Sequence, residues 1–306
     1  MSRQRVVVIY NPRSSKYVRV REEVLNPISR MTGVMVGRYE IKPTNVDDNA
    51  RNIAQILLDG DLVVAAGGDG TAMMGLNGVV LSGKQVRFAV LPYGNFNDLA
   101  GMLGCKTIGE IIANSRKTKK MYPIEALVDG EHFRYAACYF TLGMFAESTR
   151  VFDAPRVRTR LKKGNKGIIY SVKTLAGWWI SNRKKEFLPR KGFLLNGKKV
   201  SKRATDVMVV NSSTVAKVMR TKEARAFKNR DVLIVIGNFG NVFKLLWFML
   251  KSMVKRMPGN VSPEMRLEFD GKTEVEIQAE GECKKIECEQ IVVKKCIKPI
   301  EVVVCR

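Results

Sequence analysis

From residue 5 to about residue 125, short β-branched runs alternate with stretches of helical periodicity. The runs VVVIY, VMVGRYEIK, DLVVAAGG and VRFAVLP read as strands. A charged amphipathic stretch from Lys16, a helix over Val46 to Leu58 and another after the glycines at Gly67 and Gly68 lie between them. Such alternation predicts a parallel α/β sheet with helices on both faces, an N-terminal three-layer domain. Ligands of sheets of this kind bind beyond the C-terminal ends of the strands.

After about Tyr122 the texture changes. Short strand-like runs (IEALVDG, FRYAACYFTLG, GFLLNGKKV, DVMVVNSS, DVLIVIG, RLEFDG, VEIQAEG) are separated by turn residues, with helices only near Gly167 to Ser181 and Val242 to Met257. This spacing predicts a mostly antiparallel β-sandwich as the second domain. The boundaries are set at 1–125 and 126–294, which suits a chain of 306 residues, longer than a usual single domain.

Charge and cysteines narrow the setting. A formal net charge of +24 concentrates the protein near polyanions. The apolar run before Asn11 and Pro12 is too short for the core of a signal peptide. The longest apolar stretch, Val242 to Leu250, is broken by Lys244 and falls well below the roughly 20 residues of a membrane span. A cytoplasmic protein is expected, with Cys105, Cys138, Cys283, Cys288, Cys296 and Cys305 as reduced thiols. Cys283 and Cys288 have no accompanying histidine for a zinc site, and the only histidine, His132, reads as structural.

The densest chemistry lies in DLVVAAGGDGTAMMG, Asp61 to Gly75. A buried strand runs into Gly67, Gly68, Asp69, Gly70 and Thr71 and then a helix. Glycines let backbone N–H groups approach an anion, and the helix N-terminus adds favourable partial charge, which makes a phosphate cradle. An acidic residue there would repel a phosphate unless a cation or metal-bound water intervenes, so Asp69 points to Mg²⁺. In VRFAVLPYGNFNDLAGMLG the strand ends at Leu91 and Pro92, and Asn95, Asn97 and Asp98 follow. Asp69 and Asp98 would then share one edge of the sheet. An alternative role for Asn97 or Asp98 is to cap the helix starting at Leu99.

The pair GGDGT and LPYGNFNDLA resembles the signature of the bacterial diacylglycerol kinase and lipid kinase family, related to sphingosine kinases and more distantly to NAD kinases. NPRSS at Asn11 to Ser15, EIKPT ending at Thr44 and AEGE at Ala279 to Glu282 resemble further motifs of that family in the same order. The resemblance implies ATP bound between two domains, with segment 295–306 returning to complete the first. It implies nucleotide contacts at Asn11, Thr44, Gly67, Gly68, Asp69, Gly70, Thr71 and Asn95. Asp69, Asp98 and Glu125 would organise Mg²⁺, and Glu282 would take the proton from a lipid hydroxyl. Glu125 and Glu280 stand where the family has aspartate, Asn95 where it has threonine. FKNRDVL lacks the Asp-Gly pair of the family's structural metal loop.

The expected reaction is transfer of the γ-phosphoryl group of ATP to a lipid hydroxyl, most simply diacylglycerol giving phosphatidic acid. The competing readings are an NAD kinase-like enzyme and a non-catalytic nucleotide- and membrane-binding regulator. Partners are expected to be the lipid substrate and an anionic membrane surface at the inner face, bound peripherally. No nucleic acid is expected, and homodimerisation is left open. The contact surfaces expected for the membrane are the basic run RVRTRLKKGNK, Arg156 to Lys166, and the helix Gly240 to Gly259. In that helix Val242, Leu245, Leu246, Met249 and Met253 form an apolar face, which packing within the protein would explain equally well.

Overall fold

The computed structural model describes residues 4–153, 157, 165–189, 193–200, 203–215, 219–221 and 224–305. The basic run Arg156 to Lys166 lies largely outside them.

Four parallel strands lead the chain: β1 (Gln4–Tyr10), β2 (Val34–Glu40), β3 (Leu62–Gly67) and β4 (Arg87–Pro92), side by side in the order β2-β1-β3-β4. The C-terminal strand Ile300–Val303 adds parallel to β4, and β5 (Thr118–Met121) closes that edge antiparallel to it. Alternate residues explain the layering. Val7, Ile9, Val63, Ala65 and Phe88 face Ile53 and Leu76 of the helices Val46–Ile56 and Asp69–Ser82. Val6, Val8, Leu62, Val64 and Leu91 face Val24, Ile28, Ile108 and Ile111 on the other side. With both faces covered, every residue of β3 is buried, as expected of a central parallel strand.

The second sheet has ten strands, mostly antiparallel. Its frame is a long hairpin, Glu264–Ala279 and Glu282–Lys295. The first of these strands serves two neighbours: Ile277, Gln278 and Ala279 pair with Tyr139–Gly143, whereas Leu267, Glu268 and Phe269 pair with Phe193–Leu195. The sheet therefore wraps a common core that includes Phe140, Leu142, Val207, Phe193, Leu267, Ile277 and Ile291. The chain is thus a mixed α/β protein with a parallel-sheet unit and a separate, mostly antiparallel one.

Two strand boundaries differ from the sequence pattern. RLEFDG and VEIQAEG are one strand, joined through a register shift between Glu268 and Thr273. FRYAACYFTLG is two, Glu131–Ala136 and Tyr139–Gly143, because the Cys138 backbone leaves the ladder. Its N–H is taken by the Glu280 carboxylate, and its carbonyl accepts from Asn211 and Ser212 at 2.7 and 3.0 Å.

The cysteines also need correction. Cys105 and Cys305 form a disulfide across 200 residues of sequence. The expectation of reduced thiols throughout fails here because the returning C-terminal strand carries Cys305 to the end of helix Asp98–Leu103, where its N–H reaches Leu103 O at 3.1 Å. Cys138, Cys283, Cys288 and Cys296 are outside this disulfide.

Asp206, 1% exposed, accepts a 2.5 Å bond from Phe145 N on Oδ2, while Oδ1 has no partner. Burial pushes its carboxyl well above the usual range. A carboxyl that holds its proton more tightly folded than unfolded stabilises at low pH, and that stability drains away as pH rises through its folded pKa. Asp206→Asn is expected to match the wild type in acid and to exceed its melting temperature at pH 8 by a few degrees, where ~1 kcal/mol is worth ~2–4 °C in a protein of this size class. Thermal melts of both proteins across pH 5 to 8.5 check it.

Candidate active site

The loops that follow the parallel strands all open at one edge of the first sheet. Asn11 follows β1, Thr44 follows β2, Gly67 ends β3, and Gly94 and Asn95 follow β4. Because β2 and β3 flank β1 on opposite sides, the chain reverses direction there, and the crevice at such a reversal is where open α/β sheets hold ligands.

The β3 and β4 loops touch backbone to backbone. A Cβ on Gly94 would lie 2.5 Å from Gly68 Cα, and one on Gly68 would lie 3.0 Å from Gly94 Cα, so both positions require glycine. Asn97, in the left-handed region at φ 54°, ties the second loop to itself through Gly94 N at 2.6 Å and Gly94 O at 2.9 Å. Lys16 Nζ donates to Gly94 O at 2.9 Å, bringing a cation from the first loop to the same place.

Asp69 opens the helix Asp69–Ser82 and joins the two motifs. Its Oδ2 accepts from Asn97 N at 2.9 Å and its Oδ1 from Asp98 N at 3.0 Å. Asp98 is buried at the first position of its own helix, and its Oδ1 accepts from Thr214 Oγ1 at 3.2 Å. Thr214 comes from a short hairpin, Thr214–Val215 with Met219–Arg220, near the second sheet.

The tip of the long hairpin completes the cluster. Glu280 and Gly281 both have positive φ, 48° and 95°, the signature of a two-residue turn whose twist matches the strands. A glutamate rarely adopts that conformation. It is held here because its carboxylate is buried and accepts the Cys138 N–H. Burial chiefly, with Asp69 and Asp98 adding to it, raises the Glu280 carboxyl to about 8 against the opposing backbone bonds from Cys138 and Ala137. Burial also raises the Cys138 thiol and the Tyr139 phenol, and each is raised further by Asp69, Asp98 and Glu280. Glu282, one residue past the turn, is half-buried, with Oε1 3.6 Å from where a Cβ on Gly70 would stand.

Asp69, Asp98, Glu280 and Glu282 thus converge from three distant stretches on the start of one helix. The turn holds Glu280 buried and largely protonated near neutrality, whereas Glu282 is only half-buried. Sequence reasoning singled out Glu282 and treated Glu280 only as a replaced aspartate. Thr214 and Lys16 were not anticipated. AEGE contains the signal for Glu280, a second acid beside a glycine turn, but nothing in the sequence marks Thr214.

Glu125 is not brought into this group by its described contacts. Its Oε1 lies 3.1 Å from His132 Nδ1, and its charge acts on Tyr135 and Cys296. Position 125 faces the neighbouring strand, where it pairs in register with Tyr135. Asn11 Oδ1 accepts from Arg13 N at 2.9 Å, shaping the first loop, and Thr44 Oγ1 accepts from Asn49 Nδ2 at 3.0 Å. Asn95 is exposed at the loop tip, and Thr71 is buried against Gly67.

Among the described residues, no three His, Cys, Asp or Glu side chains are grouped closely enough to cage a metal ion. Mg²⁺ does not require such a cage: it commonly keeps several waters and uses one or two carboxylates together with substrate phosphates. Asp69 and Asp98, linked through the Asp98 N–H at 3.0 Å, are the residues that fit that mode.

Residues 5–126 match the diacylglycerol kinase catalytic domain family. Among solved structures, one described as a diacylglycerol kinase from Bacillus anthracis str. Sterne aligns with a TM-score of 0.67 and 16% identity, covering 98% of this chain and 97% of that one. Another from the same organism, provisionally described as a diacylglycerol kinase, aligns with a TM-score of 0.68, again at 16% identity and the same coverage. At this identity the likeness establishes a shared fold along the whole chain. No curated protein sequence matches.

Proposed function

We propose, from the match of residues 5–126 to the diacylglycerol kinase catalytic domain family, that the chain is an ATP-dependent lipid kinase, with diacylglycerol as acceptor and phosphatidic acid as product. The observation that carries this reading is the convergence of Asp69, Asp98, Glu280 and Glu282 on a helix start reached through two glycine loops.

Phosphoryl transfer depends chiefly on positioning and on neutralising charge. The backbone N–H groups at Gly68 to Thr71 and the N-terminus of helix Asp69–Ser82 bind phosphate oxygens. Asn11, Thr44 and Asn95 border the nucleotide, and Lys16 adds positive charge beside Gly94. Asp69 and Asp98 are the residues that would hold Mg²⁺, which would supply neutralisation of the phosphate charge. Glu282 orients the acceptor hydroxyl and takes its proton as the oxygen bonds to the γ-phosphorus and the bond to the departing ADP oxygen breaks.

The test offers γ-labelled ATP and Mg²⁺ with diacylglycerol, a sphingoid base, ceramide or NAD. Label in phosphatidic acid is the expected result. Label only in NAD would overturn the lipid reading in favour of the NAD kinase-like one. A second reading, a nucleotide-binding regulator, draws on Glu125, whose carboxylate lies 3.1 Å from His132 Nδ1. It predicts binding of an ATP analogue with no acceptor labelled.

A further inference from the structure

The helix Val242–Val254 is apolar on two faces, and only one of them is used by the fold. Leu245 and Ser252 are fully buried, and Val242, Phe248 and Met249 pack against a cluster containing Met144, Leu175, Trp179 and Phe239. The face expected from periodicity to meet a membrane, containing Val242, Leu245 and Met249, is therefore the packing face. The other face carries Phe243, Trp247, Leu250 and Val254, exposed by 78%, 67%, 52% and 75%. Their spacing of four, three and four residues puts them in one line along the helix.

We propose that this stripe is the protein's membrane-docking surface, inserted into the interface of a bilayer containing anionic phospholipid. Four large apolar side chains in a continuous exposed line are unusual on a soluble surface and mark an interaction site. Lys244, Lys251, Lys255 and Arg256 lie on or next to the helix and are exposed. No aspartate or glutamate occurs between Gly240 and Gly259. An apolar stripe with an aromatic residue and flanking cations is what an interfacial helix requires. The same charges disfavour a second copy of this chain as the occupant, since pairing two such stripes would bring both sets of cations together.

No described helix is long and apolar enough to cross a membrane, so the helix would lie along the surface. Its position also serves the site. Just past its C-terminus, Met257 N donates to Arg220 O at 2.8 Å, Arg220 pairs with Thr214, and Thr214 Oγ1 reaches Asp98 at 3.2 Å. The docked helix is thus one short hairpin away from the carboxylate cluster. The functional meaning of this placement rests on the lipid kinase reading; binding to vesicles does not.

The experiment uses the full chain with sucrose-loaded vesicles of phosphatidylcholine containing about one third phosphatidylglycerol. Phe243→Ser with Leu250→Ser should lower the partition coefficient about 50-fold, because two large apolar side chains no longer enter the interface. Lys251→Glu with Lys255→Glu should lower it roughly 10-fold or more on these vesicles and leave weak binding to pure phosphatidylcholine unchanged. Brominated lipid should quench fluorescence of the wild type, and this quenching should vanish in Trp247→Phe. All five sites are exposed, so the melting temperature should hold, and labelling of a short-chain, monomeric diacylglycerol should persist in the double serine variant.

Binding within about twofold of wild type in that variant would overturn the proposal. So would an unquenched Trp247, or a wild-type dimer that the serines turn into monomer, which would assign the stripe to self-association. If the wild type binds vesicles through the stripe but labels no lipid, the kinase reading fails while the docking surface stands.

Discussion

Glu282→Gln is expected to lower turnover about 1,000-fold while the dissociation constant of a non-hydrolysable ATP analogue stays within about twofold, since general-base catalysis is typically worth 10²–10⁴. Glu282 stands half-buried beside Gly70, and glutamine keeps its shape without its basicity. Glu282→Asp retains the base but withdraws it by about 1 Å, so an intermediate loss of roughly 10–100-fold is expected. Turnover under saturating ATP and lipid, paired with calorimetric titration of the analogue, separates the two effects. Equal weakening of analogue binding and turnover would show that Glu282 holds the nucleotide and does not serve the acceptor.

Asp69→Asn should do the opposite: nucleotide affinity and turnover fall together, turnover by about 100-fold or more, and the melting temperature falls as well. The Asp69 carboxylate accepts both the Asn97 and the Asp98 N–H, at 2.9 and 3.0 Å. An amide presents one acceptor and one N–H₂, so one of those backbone donors would meet another donor. Losing a hydrogen bond to a charged group costs about 1.5–3 kcal/mol, and the loop that carries Gly94 and Asn95 would lose its tether. Calorimetric titration and thermal melts of the variant test this. A variant with normal stability and analogue binding but no turnover would assign Asp69 to the chemistry alone and not to joining the loops.

Much of the fold was legible because its signals are local. The four β-branched runs of the first sheet, their intervening helices and the two glycine turns each announce themselves within about 20 residues, and the parallel order follows from alternation. The carboxylate cluster was legible only in part. Asp69 and Asp98 could be placed on neighbouring loops because strand ends in one sheet share an edge. Glu280 needed the hairpin register that sets Ala279 opposite Glu282, and Thr214 needed a contact between elements 116 residues apart. For Glu125 a motif position does not fix which neighbour a strand residue faces, and here a described neighbour is His132.

The helix Val242–Val254 shows another limit. Its sequence is apolar almost all round, so periodicity reports two hydrophobic faces and cannot say which one the protein covers. Only the packing of Leu245 and Phe248 against the neighbouring elements leaves Phe243, Trp247, Leu250 and Val254 outside. The disulfide between Cys105 and Cys305 was hidden for a similar reason, since a sequence separation of 200 residues carries no local trace.

The strand Ile300–Val303 lies between β4 and β5, parallel to one and antiparallel to the other, and those two strands meet only through it. During synthesis, β4 therefore emerges from the ribosome with an open edge and must wait for the whole antiparallel unit to be translated before that edge is closed. The first half of the protein can collapse early but cannot finish folding until the last. An arrested nascent chain lacking these residues would present a buried-type β edge to the cell, an attractive target for chaperones and a hazard for aggregation.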